Sequence, residues 1–208
     1  MRLMRRVGLG AALVILAVAA SKIEPVGLAQ ADCTVIVQPG QSIQKAIDSV
    51  PEGAVICLAE GTWEEGIDII KGLTLRGAGL EKTKLVSKAG IYISSSLKGA
   101  VSLERLTITG GSLQNILIFG TTKVNILDSR VSGSNEEGIR ILGPADVTIT
   151  NSHLLENKGY GIYMQESGQV TIVNSRISNN SAGIFMMNLY AFGAIKATII
   201  DSQITANR

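Results

Sequence analysis

An eight-residue phrase recurs five times between Val101 and Ile204, and this recurrence limits the possible folds more than any other feature of the chain. Three copies are close: Val124-Asn-Ile-Leu-Asp-Ser-Arg-Val131, Val147-Thr-Ile-Thr-Asn-Ser-His-Leu154 and Val170-Thr-Ile-Val-Asn-Ser-Arg-Ile177. A fainter copy starts at Val101 and another at Ala197, so the starts 101, 124, 147, 170 and 197 are spaced by 23, 23, 23 and 27 residues. A second phrase keeps the same beat: Asn115-Ile-Leu-Ile118, Gly138-Ile-Arg-Ile141, Gly161-Ile-Tyr-Met164 and Gly183-Ile-Phe-Met186. A fixed period of this size is the mark of a solenoid, in which each unit buries its apolar face only against its neighbours.

Within each copy the apolar residues alternate, as Val147 and Ile149 do, which is the period of a strand with one buried face. Three short strands per 23 residues describe one coil of a single-stranded, right-handed parallel β-helix, an all-β solenoid. In one coil they are Gly161–Met164, Val170–Val173 and the residues around Arg176–Ile177. Between the second and third strands sits Asp128-Ser129, Asn151-Ser152, Asn174-Ser175 or Asp201-Ser202. Asn and Asp tolerate left-handed backbone geometry, so these four positions are expected at a sharp corner, stacked as a side-chain ladder. Asn157, Asn180 and Asn207 mark the next corner.

On these repeats the chain resembles the pectin-lyase-like right-handed parallel β-helix superfamily, with its short parallel β-helix repeats, over roughly residues 33–208. The resemblance carries a fold, and fold and function are separate inferences. The opening from Val37-Gln-Pro-Gly40 through Gly61-Thr-Trp-Glu64 looks like the N-terminal module of secreted members.

Residues 1–31 read as a secretory signal peptide: Arg2, Arg5 and Arg6, then the apolar run Val7–Ala20, with cleavage fitting after Ala20 or Ala31. Removing those arginines takes 19 basic residues to 16 against 17 acidic, a net of −1, so there is no electrostatic case for nucleic acid. The expected location is secreted, periplasmic or otherwise extracytoplasmic, with no membrane association after the signal is removed. Residues 32–208 form the β-helix domain, with a capping helix over 41–50, whose Ile43, Ala46, Ile47 and Val50 share a face, and about seven coils over 54–208. Cys33 and Cys57 fall in two apolar strands near this lid, and a disulfide is the expectation for an oxidising compartment. Two separate buried thiols are the alternative.

Alternation points Tyr92, Leu117, Arg140, Tyr163 and Phe185 outward from the first-strand face, the face that with its loops forms the substrate cleft in related β-helix enzymes. Aromatic rings stack on sugars and Arg140 can hold a carboxylate, so Tyr92, Arg140, Tyr163, Phe185 and the overhanging Tyr190 are the candidate ligand-binding residues. The competing reading is an outward ladder that only supports the strands. Glu137 beside Arg140 is a candidate general acid or base, weighed against a solvated corner charge like Glu136, Glu156 and Lys158. His153 stands where other copies have Arg130, Arg176 and Gln203, which reads as a surface stripe.

The resemblance implies apparatus that is missing. No Asp cluster or Arg-x-Pro run resembles the calcium site and catalytic arginine of pectate lyases, and the Asn-Thr-Asp, Gly-His-Gly and Arg-Ile-Lys motifs of polygalacturonases are absent. Gly61-Thr-Trp-Glu-Glu65 is similar to a segment of pectin methylesterases, without their Gln-Asp and Asp-Arg motifs. No metal or cofactor is expected. The leading functional expectation is a non-catalytic module that binds carbohydrate or protein. A polysaccharide-active lyase or hydrolase is the rival, and self-association through an uncapped C-terminal coil is a third reading.

Overall fold

The computed structural model describes residues 32–94, 99–188 and 193–208. The segment 1–31, expected to be a signal peptide, and the residues Tyr190 and Phe192 lie outside the described residues. Three parallel sheets stack about seven coils. The eight-stranded sheet runs from Val35–Val37 and Val55–Leu58 to Ile195–Ile200, the six-stranded sheet from Ile67–Ile69 to Ala182–Met187, and the seven-stranded sheet from Gly61–Trp63 to Gln203–Thr205. Each strand pairs in parallel with its equivalent one coil on, as in Val124↔Val147↔Val170 and Arg130↔His153↔Arg176. The all-β right-handed β-helix expected from the repeats is the observed architecture.

The alternating residues fill the interior as continuous rows. Val124, Val147 and Val170 are fully buried, as are Ile149, Ile172, Leu154 and Ile177. Each such side chain contributes about 1.5–3 kcal/mol through removal from water. Before Leu103 the offsets are irregular: Ile56 pairs with Leu75 and Leu75 with Leu103, so no fixed period is visible there. The sheet also begins earlier than the coils expected from residue 54, because Val35–Val37 pairs with Val55–Leu58.

Corners are closed by side chains from the adjacent coil. Asp128, Asn151, Asn174 and Asp201 all have φ between 46° and 50°, the left-handed geometry expected of them. Asn151 Nδ2 donates to Asp128 Oδ1 at 3.0 Å and Asn174 Nδ2 to Asn151 Oδ1 at 2.8 Å, on the exposed side. The serines that follow act inside. Ser152 Oγ accepts from Ser129 N at 3.1 Å while donating to the Thr150 carbonyl at 2.7 Å, and Ser175 and Ser202 repeat the arrangement.

A buried amide spine runs along the other corner. Asn157 Nδ2 and N both donate to Asn180 Oδ1, and Asn180 Nδ2 and N both donate to Asn207 Oδ1. Asn115 Nδ2, Ser134 N and Ser134 Oγ converge on Asn157 Oδ1. The glycines of the Gly-Ile phrase make room for it: a Cβ on Gly138 would stand 2.8 Å from Asn157 Nδ2 and from the Gly161 carbonyl oxygen.

At the N-terminal end the helix Ile43–Ser49 caps the interior, with Ile43 and Ile47 fully buried. The segment Gly61-Thr-Trp-Glu-Glu65 is its clamp. Trp63 Nε1 donates to the Gln41 carbonyl at 3.0 Å; Glu65 accepts from Ile43 N at 2.5 Å and from Ser42 Oγ at 3.0 Å. Cys33 and Cys57 form a disulfide, with Cα atoms 5.7 Å apart, tying the residues just before the first strand of the eight-stranded sheet to its second strand. At the opposite end Met186, Ile199 and Ile204 are 46%, 48% and 38% exposed, whereas Met164, Ile172 and Ile177 one coil earlier are fully buried.

Glu65→Ala removes the acceptor for the first helical N–H, and a lost cap costs about 1–2 kcal/mol. The expected outcome is a lower urea midpoint and faster amide exchange at Ile43, with exchange in the central coils unchanged.

Candidate functional site

Parallel register turns the first-strand phrase into a single outward row on the six-stranded sheet: Asp68, Tyr92, Leu117, Arg140, Tyr163 and Phe185. The structure therefore brings together the expected Tyr92, Leu117, Arg140, Tyr163 and Phe185, and adds Asp68. A parallel row holds Phe119, Leu142, Gln165 and Met187, of which Phe119 is 45% exposed.

The C-terminal half of this face is a stack. The Arg140 guanidinium carbon lies 5.0 Å from the Tyr163 ring centroid. The Tyr163 ring is stacked 5.7 Å from Phe185, which is also stacked on Tyr160 at 4.8 Å. Ala182, in register with Tyr160, lacks a ring of its own and leaves Phe185 room to lean over both tyrosines. Guanidinium over ring and ring over ring are both attractive, roughly 0.5–1.5 kcal/mol per contact.

Tyr163 is more buried than its outward-facing position implies. It is only 8% exposed, with Arg140 to one side and Phe185 to the other, and its Oη donates to Gln165 Oε1 at 3.2 Å. It works as the centre of the stack, while the half-buried Tyr92, Tyr160 and Phe185 retain solvent-facing area. Tyr160 was not singled out in the sequence reading; its place three residues before Tyr163, at a corner, was the available signal.

Glu137 also corrects the sequence reading of a solvated corner charge. Glu136, Glu156 and Lys158 are exposed, but the Glu137 side chain is 9% exposed. Its Oε2 lies 3.7 Å from Arg140 Nη1, beyond hydrogen-bond distance, and both Glu137 Oε2 and Arg140 Nε are buried without a hydrogen-bond partner. Burial pushes the Glu137 carboxyl above the usual carboxylate range; Arg140 opposes the shift and Glu136 adds to it.

The remaining candidates sit elsewhere. His153 lies on the outer row of the seven-stranded sheet between Arg130 and Arg176, as its repeat position implied. Asp128, Asn151, Asn174 and Asp201 line their own corner, away from this face. Among the described residues no three His, Cys, Asp or Glu side chains gather in a group able to hold a metal ion.

A raised carboxyl pKa contributes stability that is present below the ordinary carboxylate range and is lost as pH rises through the raised value. Glu137→Gln removes that loss. The melting temperature of the variant relative to the unaltered protein is expected to increase from about pH 4 to about pH 7, measured by thermal unfolding.

No curated protein matches the chain in sequence. Among solved structures, pectate lyase Pel9A is similar at 15% identity and a TM-score of 0.55, over 83% of this chain. ORF18 of Geobacillus virus E2 is similar at 16% identity and a TM-score of 0.58, over 76% of this chain. Escherichia coli ybhc aligns at 14% identity with a TM-score of 0.47, over 93% of this chain and 77% of its own. The chain spans 62% of the length of Pel9A and 37% of the length of ORF18, and at these identities the likeness is one of fold. The family described as "Right handed beta helix region" matches residues 62–208, nearly all of the three-sheet solenoid, and the chain belongs to that family.

Proposed function

We propose that the chain is an extracytoplasmic recognition module that binds polysaccharide through the outer face of the six-stranded sheet without cleaving it. The observation that carries this reading is the aromatic stack of Arg140, Tyr163, Phe185 and Tyr160 on a rigid parallel sheet. Rings held in place by their neighbours bind a sugar face without first losing side-chain freedom. The Cys33–Cys57 disulfide supports an oxidising compartment, and among the described residues no helix is long and apolar enough to cross a membrane.

Two observations favour other readings of particular regions. The buried Glu137 beside Arg140 is the feature a polysaccharide lyase or hydrolase would build on, since a general acid or base needs a carboxyl tuned by its surroundings. The exposed Met186, Ile199 and Ile204 favour cover by further polypeptide, of this protein or another, over that apolar surface.

A glycan array of neutral and acidic polysaccharides, followed by product analysis of each hit, separates these readings. Binding without new chain ends is the expected result. Arg140→Ala and Phe185→Ala are each expected to weaken that binding about tenfold or more, with circular dichroism confirming that the fold is kept. Cleavage of a bound glycan would establish the enzyme instead, and silence across the array would move the binding role to protein partners.

A further inference from the structure

The pair formed by Glu137 and Arg140 is internally inconsistent as a static salt bridge. The two groups are 3.7 Å apart, each leaves a buried polar atom unpaired, and Arg140 remains 31% exposed on the face that carries the aromatic stack. A carboxylate and a guanidinium normally meet in two parallel hydrogen bonds. Here the guanidinium is drawn toward the Tyr163 ring instead, with its centre 5.0 Å from the ring centroid. Among the described residues its charge is balanced by Glu137 alone, at a distance, and only while Glu137 is ionised.

We propose that Glu137 and Arg140 form a proton-gated anion site: when Glu137 is neutral, Arg140 is an uncompensated cation on the binding face and takes an anionic group, and when Glu137 ionises that affinity is lost. The proposal rests on the reading of this face as a binding surface and adds to it a dependence on proton concentration.

The surroundings make Glu137 the group that switches. On its own coil it faces Arg140 and the exposed Glu136. One coil below, Gln114, Asn115 and Leu117 carry no ionisable group. One coil above stand Lys158, Tyr160 and Tyr163, and Lys158 Nζ is held by Asn135 Oδ1 at 2.8 Å. Burial disfavours the ionised carboxyl, so the neutral form persists to higher pH than for an exposed glutamate. Linkage is reciprocal: if protonation favours the anion, the anion must favour protonation by the same factor. Binding therefore draws a proton from solvent.

Inorganic sulfate, whose charge is constant over the range, is the probe. It is titrated calorimetrically into the full chain at constant ionic strength, in buffers of different ionisation enthalpy. As pH falls, sulfate binding is expected to tighten about tenfold for each unit by which the bound anion raises the Glu137 pKa, and to be accompanied by proton uptake over the pH range in which the affinity changes. Glu137→Gln is expected to bind with the tight affinity at every pH and with no proton uptake; Arg140→Gln is expected to bind no sulfate. Affinity independent of pH in the unaltered chain, uptake that persists in Glu137→Gln, or binding that survives Arg140→Gln would each overturn the gate. This outcome is separable from that of the glycan array. A polysaccharide bound with no sulfate linkage removes the gate alone, whereas sulfate linkage with a silent array removes the polysaccharide alone.

Discussion

Everything in this solenoid depends on how a coil satisfies the backbone groups it buries at its corners. Strands pair with their neighbours, but at a corner that ladder is interrupted, and an unpaired buried N–H costs about as much as a lost hydrogen bond. Here some corner N–H groups, such as Asp128 N and Asn151 N, still meet a carbonyl of the next coil, and those left over are met by a side chain from it: Ser129 N by Ser152, Asn157 N by Asn180, Asn180 N by Asn207. The requirement sets the residues on both sides. It demands a short polar side chain at the corner and, at Gly138, Gly161 and Gly183, a residue with no Cβ beside it. Once the corners are fixed, parallel register follows, and with it the rows of the outer faces. The stack of Arg140, Tyr163 and Phe185 is a by-product of that register, because residues in consecutive coils are brought side by side.

The coils after Val101 were legible because their turns have nearly constant length, so alternation and period reinforce each other. The row Tyr92–Phe185 and the corner geometry of Asp128, Asn151, Asn174 and Asp201 could be written down from residues alone. The earlier coils were less legible since their turns vary, and no fixed offset links Ile56, Leu75 and Leu103. The amide spine was seen only in part. Asn157, Asn180 and Asn207 recur at one position, but Asn115 reaches Asn157 across two coils and Ser134 fills the step between. The serines of the Asp/Asn-Ser pairs were noted as a motif, and their inward bonding was not.

Burial on the outer face was the main thing hidden from the sequence. Alternation says which side of a sheet a residue faces, and stops there. Tyr163 faces out and is still covered, because Arg140 and Phe185 come from adjacent coils and close over it. Glu137 sits at a corner among charged residues and is still buried, so its carboxyl is tuned where Glu136, one residue away, is exposed. Side chains on a solenoid surface make their decisive contacts one period away in sequence, and the chemistry of a site emerges only when several periods are read together. The same reasoning separates fold from function: membership in the right-handed β-helix family rests on the coils, and the proposed recognition role rests on a few residues of one row.

The dependence of the coils on side-chain-satisfied corners is tested most directly at Asn157. Its Oδ1 is the acceptor for Asn115 Nδ2, Ser134 N and Ser134 Oγ, and its Nδ2 donates to Asn180. Asn157→Leu keeps the branching and heavy-atom count of the side chain and removes every one of these bonds, leaving buried donors that each cost about 1–3 kcal/mol. Equilibrium unfolding in urea is expected to show a loss of at least about 3 kcal/mol, out of proportion to a single exchange of similar size. A loss below about 1 kcal/mol would mean that apolar stacking alone holds the coils in register, and that the amide spine is incidental.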